Sequence, residues 1–232
     1  MLIGILQPSY IPWLGFFEQI SRVDVFVLYD DVQSDKQGWR NRNKIKNSQG
    51  AQWLSVPVLT KGKRTQLINQ TQIDPTSKWN LKHLISLKTN YKKSIYFNQF
   101  YSQIEPLLNK KWIYLLDLNL NLLNLLKEYL GIKTRIILSS SLLKRLPKDS
   151  SPESRLIEIC DKVGGDTLYE GAAGQNYIDA TIFKTAQIRL IYQQYHHPIY
   201  SQLYGAFMPY LSVVDLIFNE GPNSLSILEL KK

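Results

Sequence analysis

Two short apolar runs near the N-terminus, LIGILQ at 2–7 and DVFVLYDDVQ at 24–33, constrain the fold more than any other feature of the sequence. Both runs are short and uninterrupted, as expected of strands whose two faces are covered by helices, and the first is stopped by Pro8. Between them lie a proline-rich turn, PSYIPWLG, and a stretch, FFEQISRVD, that can form a short helix. A strand, a crossover helix and a second strand within about 30 residues predict parallel pairing.

The same alternation of strands and helices returns in the second half of the chain. Further strands are predicted at 53–58, 133–140, 166–171 and 188–195, and helices at 151–165 and 209–221. This alternation predicts an α/β fold with a Rossmann-like, mostly parallel sheet. We expect LIGILQ near the centre of that sheet, and the 166–195 segment in the same sheet.

The middle of the chain, about 76–131, is predicted to be a helical insertion. Leucines recur there at helical spacing, and a stripe of this kind is typical of core packing. No linker or internal repeat interrupts the sequence, so residues 1–232 are predicted to form a single α/β domain. His83, within the insertion, is expected to be an ordinary surface or interface residue.

Composition excludes several classes of protein. A chain of 232 residues with 44% apolar residues and one cysteine is not a disordered chain, a collagen-like repeat or a disulfide scaffold. Lone Cys160 is expected to be a buried structural thiol in a reducing compartment. No signal peptide is readable, and polar residues interrupt the most apolar long segment, 112–130. We therefore expect a cytoplasmic protein without a membrane span.

The charge of the chain favours an anionic partner. Lys and Arg number 28 against 19 Asp and Glu, which gives a net charge of +9, although a basic composition alone is also compatible with no anionic partner. Within GWRNRNKIK, an extended backbone would place Arg40, Arg42, Lys44 and Lys46 on one face. Such a face could clamp a phosphate or carboxylate, or it could be a solvated loop.

Polar residues follow the predicted strands, where ligands of open α/β sheets bind. Asp30 and Asp31 are neighbours, so they should point to opposite faces, with one reaching the pocket and the other capping a helix or turn. His197 could be a general base or could satisfy a backbone carbonyl beside Pro198. We expect His197 to face the same pocket as Gln7 and Tyr10. The GAAG turn at 171–174 could cradle an anion or could pack tightly.

Three segments, QPSYIPWLGFF, DVFVLYDDVQ and WRNRNKIK, carry a resemblance to the WbqC-like protein family. The resemblance continues through SPESRLIEICDKVGGDTLYEGAAGQNYID and HPIYSQLYGAFMPYLSVVDLIFNEG, nearly to the end of the chain. It implies a setting in bacterial gene clusters for O-antigen and other surface polysaccharides. The first segment is also similar, more weakly, to the opening of HIGH-type nucleotidyltransferases. Residues 13–16 would occupy their HxGH stretch, but both histidines are missing.

The leading hypothesis is a transferase that moves an acyl or aminoacyl group to an amino group of a nucleotide-linked sugar or similar acceptor. The partner would be a small anionic substrate, such as a nucleotide-linked sugar or a carrier-bound acyl group. The sequence does not identify a cofactor, and it indicates no metal site. One alternative is a non-catalytic module that binds a nucleotide sugar or a carrier protein. Another is a nucleic-acid-binding protein, suggested by charge and aromatic content. The predicted site comprises His197 and Asp30 as catalytic residues, and Gln7, Tyr10, Trp13, Arg40, Asn41, Arg42, Glu170 and Gln202 as substrate-binding residues.

Overall fold

A computed structural model describes residues 1–35, 38–63, 65–142 and 151–229. The chain forms two compact units, each built from separate segments. The sheet unit comprises Met1–Gln7, Glu18–Val32 and Lys133–His196, and the hairpin unit comprises Pro8–Phe17, Gln33–Ile132 and His197–Lys232. The single domain predicted for residues 1–232 stays a prediction.

Strands and helices alternate along the described residues. The strands are β1 (Leu2–Leu6), β2 (Val25–Leu28), β3 (Arg42–Asn47), β4 (Gly50–Ser55), β5 (Arg135–Leu138), β6 (Thr167–Glu170) and β7 (Arg189–Tyr192). The helices are α1 (Leu14–Arg22), α2 (Trp79–Tyr91), α3 (Phe97–Asn109), α4 (Leu115–Tyr129), α5 (Ser139–Leu142), α6 (Pro152–Val163), α7 (Ala180–Thr185), α8 (Val213–Glu220) and α9 (Ser224–Leu228).

The sheet unit contains a five-stranded sheet in the order β5-β2-β1-β6-β7, with every neighbouring pair parallel. The α/β prediction is therefore confirmed, and so is the central place of LIGILQ. All four residues of β2 are buried, which explains its uninterrupted apolar sequence. Gly4 is needed for close packing, because a Cβ there would lie 2.8 Å from the ring of Phe26.

The core of the sheet unit lies between one face of the sheet and helices α6 and α7. Ile5, Val27 and Leu168 from the strands pack with Ile159 and Cys160 from α6. Burial raises the pKa of the Cys160 thiol to about 12, as expected of an unreactive structural cysteine.

The hairpin unit combines the antiparallel β3–β4 hairpin with helices α2, α3, α4, α8 and α9. The predicted helical middle is confirmed, whereas the strand predicted at 53–58 begins earlier, at Gly50, and belongs to this hairpin. Leu122 and Leu126 of the leucine stripe are fully buried, and the ring of Tyr91 stacks on Phe218 with centroids 4.7 Å apart. Within the described ranges, no helix has the length and apolar character to cross a membrane.

Candidate functional site

A buried acid lies at the carboxyl edge of the parallel sheet. Glu170 is the last residue of β6, and only 5% of it is exposed. Burial raises the pKa of its carboxyl group to about 7, although hydrogen bonding from the Gly171 N–H and the Tyr177 hydroxyl lowers it. A carboxyl group that titrates near neutral pH can both accept and return a proton under ordinary cellular conditions.

The turn after β6 packs against the side chain of Glu170. A short 3₁₀ helix spans Ala172–Asn176, and a Cβ on Gly174 would lie 2.5 Å from Cγ of Glu170 and 3.3 Å from the ring of Tyr192. The GAAG sequence therefore supplies the space that the Glu170 side chain occupies. This contact favours the packing interpretation of the turn over an anion cradle.

Asp30 and Asp31 lie beyond the end of β2, and the Ser139 hydroxyl contacts both carboxylates, so the expectation that the two side chains point to opposite faces is wrong. The fully buried Asp30 carboxylate accepts hydrogen bonds from the Ser140 N–H at 3.0 Å and the Ser140 hydroxyl at 2.7 Å, at the start of α5. Asp31 forms an ion pair with the Arg155 guanidinium instead. These contacts favour a capping role for Asp30 rather than the catalytic role predicted for it.

Another buried carboxylate in the sheet unit, Glu18, lies among polar groups from β6, β7 and its own helix. It accepts hydrogen bonds from the Tyr169 hydroxyl and the Gln193 amide, and it pairs with Arg22. Gln193 follows β7 directly. Its partners indicate a structural network. Gln7, predicted to bind substrate, follows β1 and is half-buried.

The basic run of the hairpin unit adopts the predicted alternation from Arg42 onward, whereas Arg40 lies in a turn before the strand and does not share its face. Arg42, Lys44 and Lys46 lie on one face of β3, and Asn43 lies on the other, where its amide donates to the Ile11 carbonyl at 2.8 Å. Lys44 lies opposite Trp53 in the hairpin register.

Two predicted binding residues precede this strand and make structural contacts. The Arg40 guanidinium lies 3.5 Å from the Pro8 carbonyl oxygen and 4.0 Å from the Asp35 carboxylate, and burial lowers its pKa. The Asn41 amide donates to the carbonyl of Val56 at 2.7 Å. These contacts assign both side chains to the support of the hairpin.

Arg42 lies against an exposed aromatic pair. Its guanidinium carbon is 4.6 Å from the centre of the Trp53 ring, and the Lys44 ammonium is 4.8 Å from the same centre. The Trp39 and Trp53 rings are 5.4 Å apart, and more than two fifths of each residue is exposed. We call Trp39, Arg42, Lys44 and Trp53 the basic-aromatic face.

Lys46, the third basic residue on this face of β3, is 3% exposed. Its ammonium donates to Oε1 of Gln202 at 3.0 Å and to the carbonyl of Ala206 at 2.6 Å. Gln202 in turn donates to the buried Asp215 carboxylate, which also accepts from the Tyr91 hydroxyl at 2.6 Å. Beside Lys46 is a cavity of about 340 Å³, bordered by the hairpin turn and residues 204–209.

Sequence reasoning missed Asp215 and Tyr91 in this network. Burial raises the pKa of the Asp215 carboxyl group, and the hydrogen bonds to it and the nearby Lys46 ammonium lower it. The one available signal was a carboxylate inside the apolar run LSVVDLIF.

Tyr10 and His197 have different neighbours within the hairpin unit. The buried Tyr10 hydroxyl lies 2.8 Å from Nδ1 of His83, and burial lowers the His83 pKa to about 4. The expectation of a surface His83 is therefore wrong. His197 lies 5.3 Å, ring to ring, from Tyr210, and its Nδ1 donates to the Pro198 carbonyl at 2.8 Å. This is the backbone contact that the sequence analysis gave as the alternative to catalysis.

Trp13 covers the first turn of α1. A Cβ on Gly15 would lie 2.2 Å from its indole, and the same indole lies 5.9 Å from the Tyr210 ring. The glycine of the PWLG sequence is therefore required for packing against Trp13. HIGH-type enzymes hold a nucleotide phosphate at the equivalent helix start, and an indole over this turn favours the packing interpretation of the segment.

The described part of the chain contains no group of three or more His, Cys, Asp or Glu side chains placed to hold a metal ion.

Comparison with known proteins agrees with the sequence motifs. The model of the WbqC-like protein family matches residues 7–227. The chain is 39% identical over 221 residues to the "Uncharacterized protein Rv1507c" of Mycobacterium tuberculosis (strain ATCC 25618 / H37Rv), and the match covers 94% of each protein. No solved structure matches the chain. The family model covers almost all of the chain, and the protein therefore belongs to the WbqC-like protein family.

Proposed function

We propose that this protein is a cytoplasmic transferase of bacterial surface-polysaccharide or related specialised metabolism, which moves an acyl or aminoacyl group to an amino group of a nucleotide-linked sugar. The observation that carries the proposal is the buried Glu170 carboxyl group with a pKa of about 7 at the carboxyl edge of a parallel sheet. The setting is the one that the family resemblance implies.

In the proposed reaction, Glu170 is the general base, and the donor is a carrier-bound thioester. The lone pair of the acceptor amine forms a C–N bond to the acyl carbon while Glu170 takes a proton from that nitrogen. The C–S bond breaks with its electron pair on sulfur, and Glu170 returns the proton to the thiolate. The products are an amide and a free thiol, and Glu170 ends in its starting protonation state.

Glu170 suits this role better than the two residues first predicted for it. The Asp30 carboxylate caps the start of α5 through the N–H and the hydroxyl of Ser140. His197 donates from Nδ1 to a backbone carbonyl, and burial lowers its pKa. Matching of the pKa of a base to the working pH increases its efficiency, so a carboxyl group near 7 is the stronger candidate.

The experiment measures thiol release when purified protein is mixed with nucleotide-linked amino sugars and a panel of acyl thioesters of coenzyme A. Glu170→Gln should lower kcat by at least a hundredfold, because the amide cannot accept the proton. Glu128→Gln, at an exposed carboxylate on α4, is the matched control and should keep full activity. Full activity of Glu170→Gln would contradict the proposal, and wild-type protein that binds these sugars without releasing thiol would favour the binding module.

A further inference from the structure

The charge of the chain is concentrated around the β3–β4 hairpin. Between Asp35 and Asp74 the sequence has eight Lys and Arg residues and no Asp or Glu. The exposed basic-aromatic face lies in this segment. The carboxylate that borders this segment, Asp35, lies 4.0 Å from the Arg40 guanidinium. An anion that approaches the face therefore still meets an excess of positive charge.

The basic-aromatic face has the chemistry of a stacking platform with cations at its border. Trp39 and Trp53 present partly exposed indoles, and the charges of Arg42 and Lys44 lie within 5 Å of the Trp53 ring centre. Nucleobases of any kind stack on aromatic side chains, because every base has a planar π-face. Guanidinium and ammonium groups bind phosphate. A ligand that combines a base with phosphate would use both features.

The same strand face continues to the cavity beside Lys46. Residues two apart on a strand share a face, so Arg42, Lys44 and Lys46 form a row about 13 Å long from end to end. The Lys46 ammonium has three N–H donors, and its contacts to Gln202 and Ala206 use two of them. The cavity of about 340 Å³ lies within the range of small-molecule sites.

We propose that the hairpin unit binds a nucleoside-diphosphate-linked hexose along this face. The base stacks on Trp39 and Trp53, the diphosphate lies along Arg42 and Lys44, and the hexose enters the cavity, where Lys46 donates to a sugar oxygen. The choice of a nucleotide-linked sugar rests on the proposed function, but the hexose bound here is not the acceptor that reacts at Glu170, which belongs to the sheet unit. The face has one aromatic pair and a cavity for one small group at its other end, which favours a single nucleotide-linked sugar over a nucleic-acid strand.

The test is a titration of the wild-type protein, without acyl donor, that follows quenching of tryptophan fluorescence. The probes are UDP-glucose, UDP, uridine and inorganic diphosphate. We expect UDP to bind at least tenfold more tightly than uridine or diphosphate alone, and UDP-glucose to bind more tightly than UDP. Equal affinity for UDP and inorganic diphosphate would reduce the site to a general anion-binding surface and overturn the proposal. Tighter binding of single-stranded oligothymidylate, with affinity that increases with length, would overturn it in favour of nucleic acid.

Substitutions in the basic-aromatic face test whether UDP-glucose binds there. Isothermal titration calorimetry with UDP-glucose should show a tenfold or greater loss of affinity for Lys44→Ala and for Trp53→Ala, and a smaller loss for Trp53→Phe, which keeps an aromatic ring in the strand. Lys110→Ala is the matched control, because the Lys110 ammonium lies 4.5 Å from the Trp112 ring centre elsewhere in the hairpin unit. Unchanged affinity in both Lys44→Ala and Trp53→Ala would contradict the assignment.

The outcome separates this inference from the proposed function. Glu170→Gln should bind UDP-glucose as the wild type does, because Glu170 belongs to the sheet unit and is not part of the basic-aromatic face. If Glu170→Gln binds UDP-glucose but releases no thiol, the result supports the hairpin site independently of the role of Glu170 as general base. Absence of UDP-glucose binding in a protein that still releases thiol would overturn the hairpin site and leave the transferase proposal standing.

Discussion

Gly174 lies so close to Glu170 that a Cβ on the glycine would be 2.5 Å from Cγ of the acid. The acid is thus held in its buried position by a turn that has room for no side chain at this point. The pKa of about 7 depends on this burial, so the packing of one glycine determines the proton chemistry of the sheet edge.

Substitution of Gly174 should therefore lower the stability of the protein and change the environment of the Glu170 carboxyl group. We expect Gly174→Ala to lower the free energy of unfolding by about 1–3 kcal/mol, because an added methyl group overpacks the turn. Gly171→Ala is the control, since a Cβ there would meet its nearest neighbour at 3.4 Å. Chemical denaturation of both variants tests this, and equal stabilities would contradict the close contact.

Glu170 should make the stability of the protein depend on pH. Its carboxyl pKa is raised from 4.5 to about 7 on folding, so the folded protein binds the proton more tightly than the unfolded chain. The stabilising contribution is complete below pH 4.5 and is lost as pH rises through 7. The amide in Glu170→Gln does not titrate, so the variant does not lose this stability as pH rises. The difference in unfolding free energy, variant minus wild type, should therefore be about 3 kcal/mol larger at pH 8.5 than at pH 4.

Denaturation curves of wild type and Glu170→Gln at pH 4, 6, 7 and 8.5 give this comparison. Glu128→Gln, at an exposed carboxylate, should follow the wild type throughout. A difference between wild type and Glu170→Gln that is the same at all four pH values would show that Glu170 has no raised pKa.

The strands of the parallel sheet were predictable because their sequences follow local patterns. An uninterrupted apolar run such as VFVL in β2 signals a strand buried on two faces, and Arg42, Lys44 and Lys46 share a face of β3 through simple alternation. The role of Glu170 as the titrating acid was not predictable. It depends on the approach of Gly174, which is set by packing rather than by residue order.

Hydrogen bonds between polar residues far apart in the sequence could not be predicted from local sequence patterns either. His83 is buried because its ring meets Tyr10, 73 residues away in sequence, and Asp215 is satisfied by Tyr91, 124 residues away. Neither pairing leaves a periodic signal. The sequence could not distinguish the two roles considered for His197, because a hydrogen-bond donor to the Pro198 carbonyl and a general base could both stand at this position. The structure shows the hydrogen bond to that carbonyl.

Asp30 should behave as a cap. Its carboxylate accepts from the N–H and hydroxyl of Ser140, so Asp30→Ala should lower the free energy of unfolding by about 1–2 kcal/mol. Thiol release at a temperature where the variant is fully folded should stay within twofold of wild type. Asp161→Ala, at an exposed position on α6, is the stability control. A loss of turnover without loss of stability would restore the catalytic assignment.

Asp215 should be among the most sensitive polar positions of the hairpin unit. Its carboxylate accepts hydrogen bonds from the hydroxyls of Tyr91 and Tyr200 and from the Gln202 amide. Asp215→Asn replaces one acceptor oxygen by an NH₂ group, which would face these hydrogen-bond donors. We expect a loss of about 3 kcal/mol in unfolding free energy. Asp117→Asn, at an exposed acid in the first turn of α4, is the matched control and should lose less than about 1 kcal/mol. Thermal and urea denaturation compare the two, and similar losses would contradict the network.

The central claim is that Glu170 is a carboxyl group poised to exchange a proton near neutral pH. Carbon-13 NMR of the side-chain carboxyl groups, titrated from pH 4 to pH 9, measures this directly, and the Glu170 signal is the one absent from the spectrum of Glu170→Gln. The account predicts a midpoint of about 7 for that signal. A midpoint near the ordinary value of 4.5 would contradict it and remove Glu170 as the base.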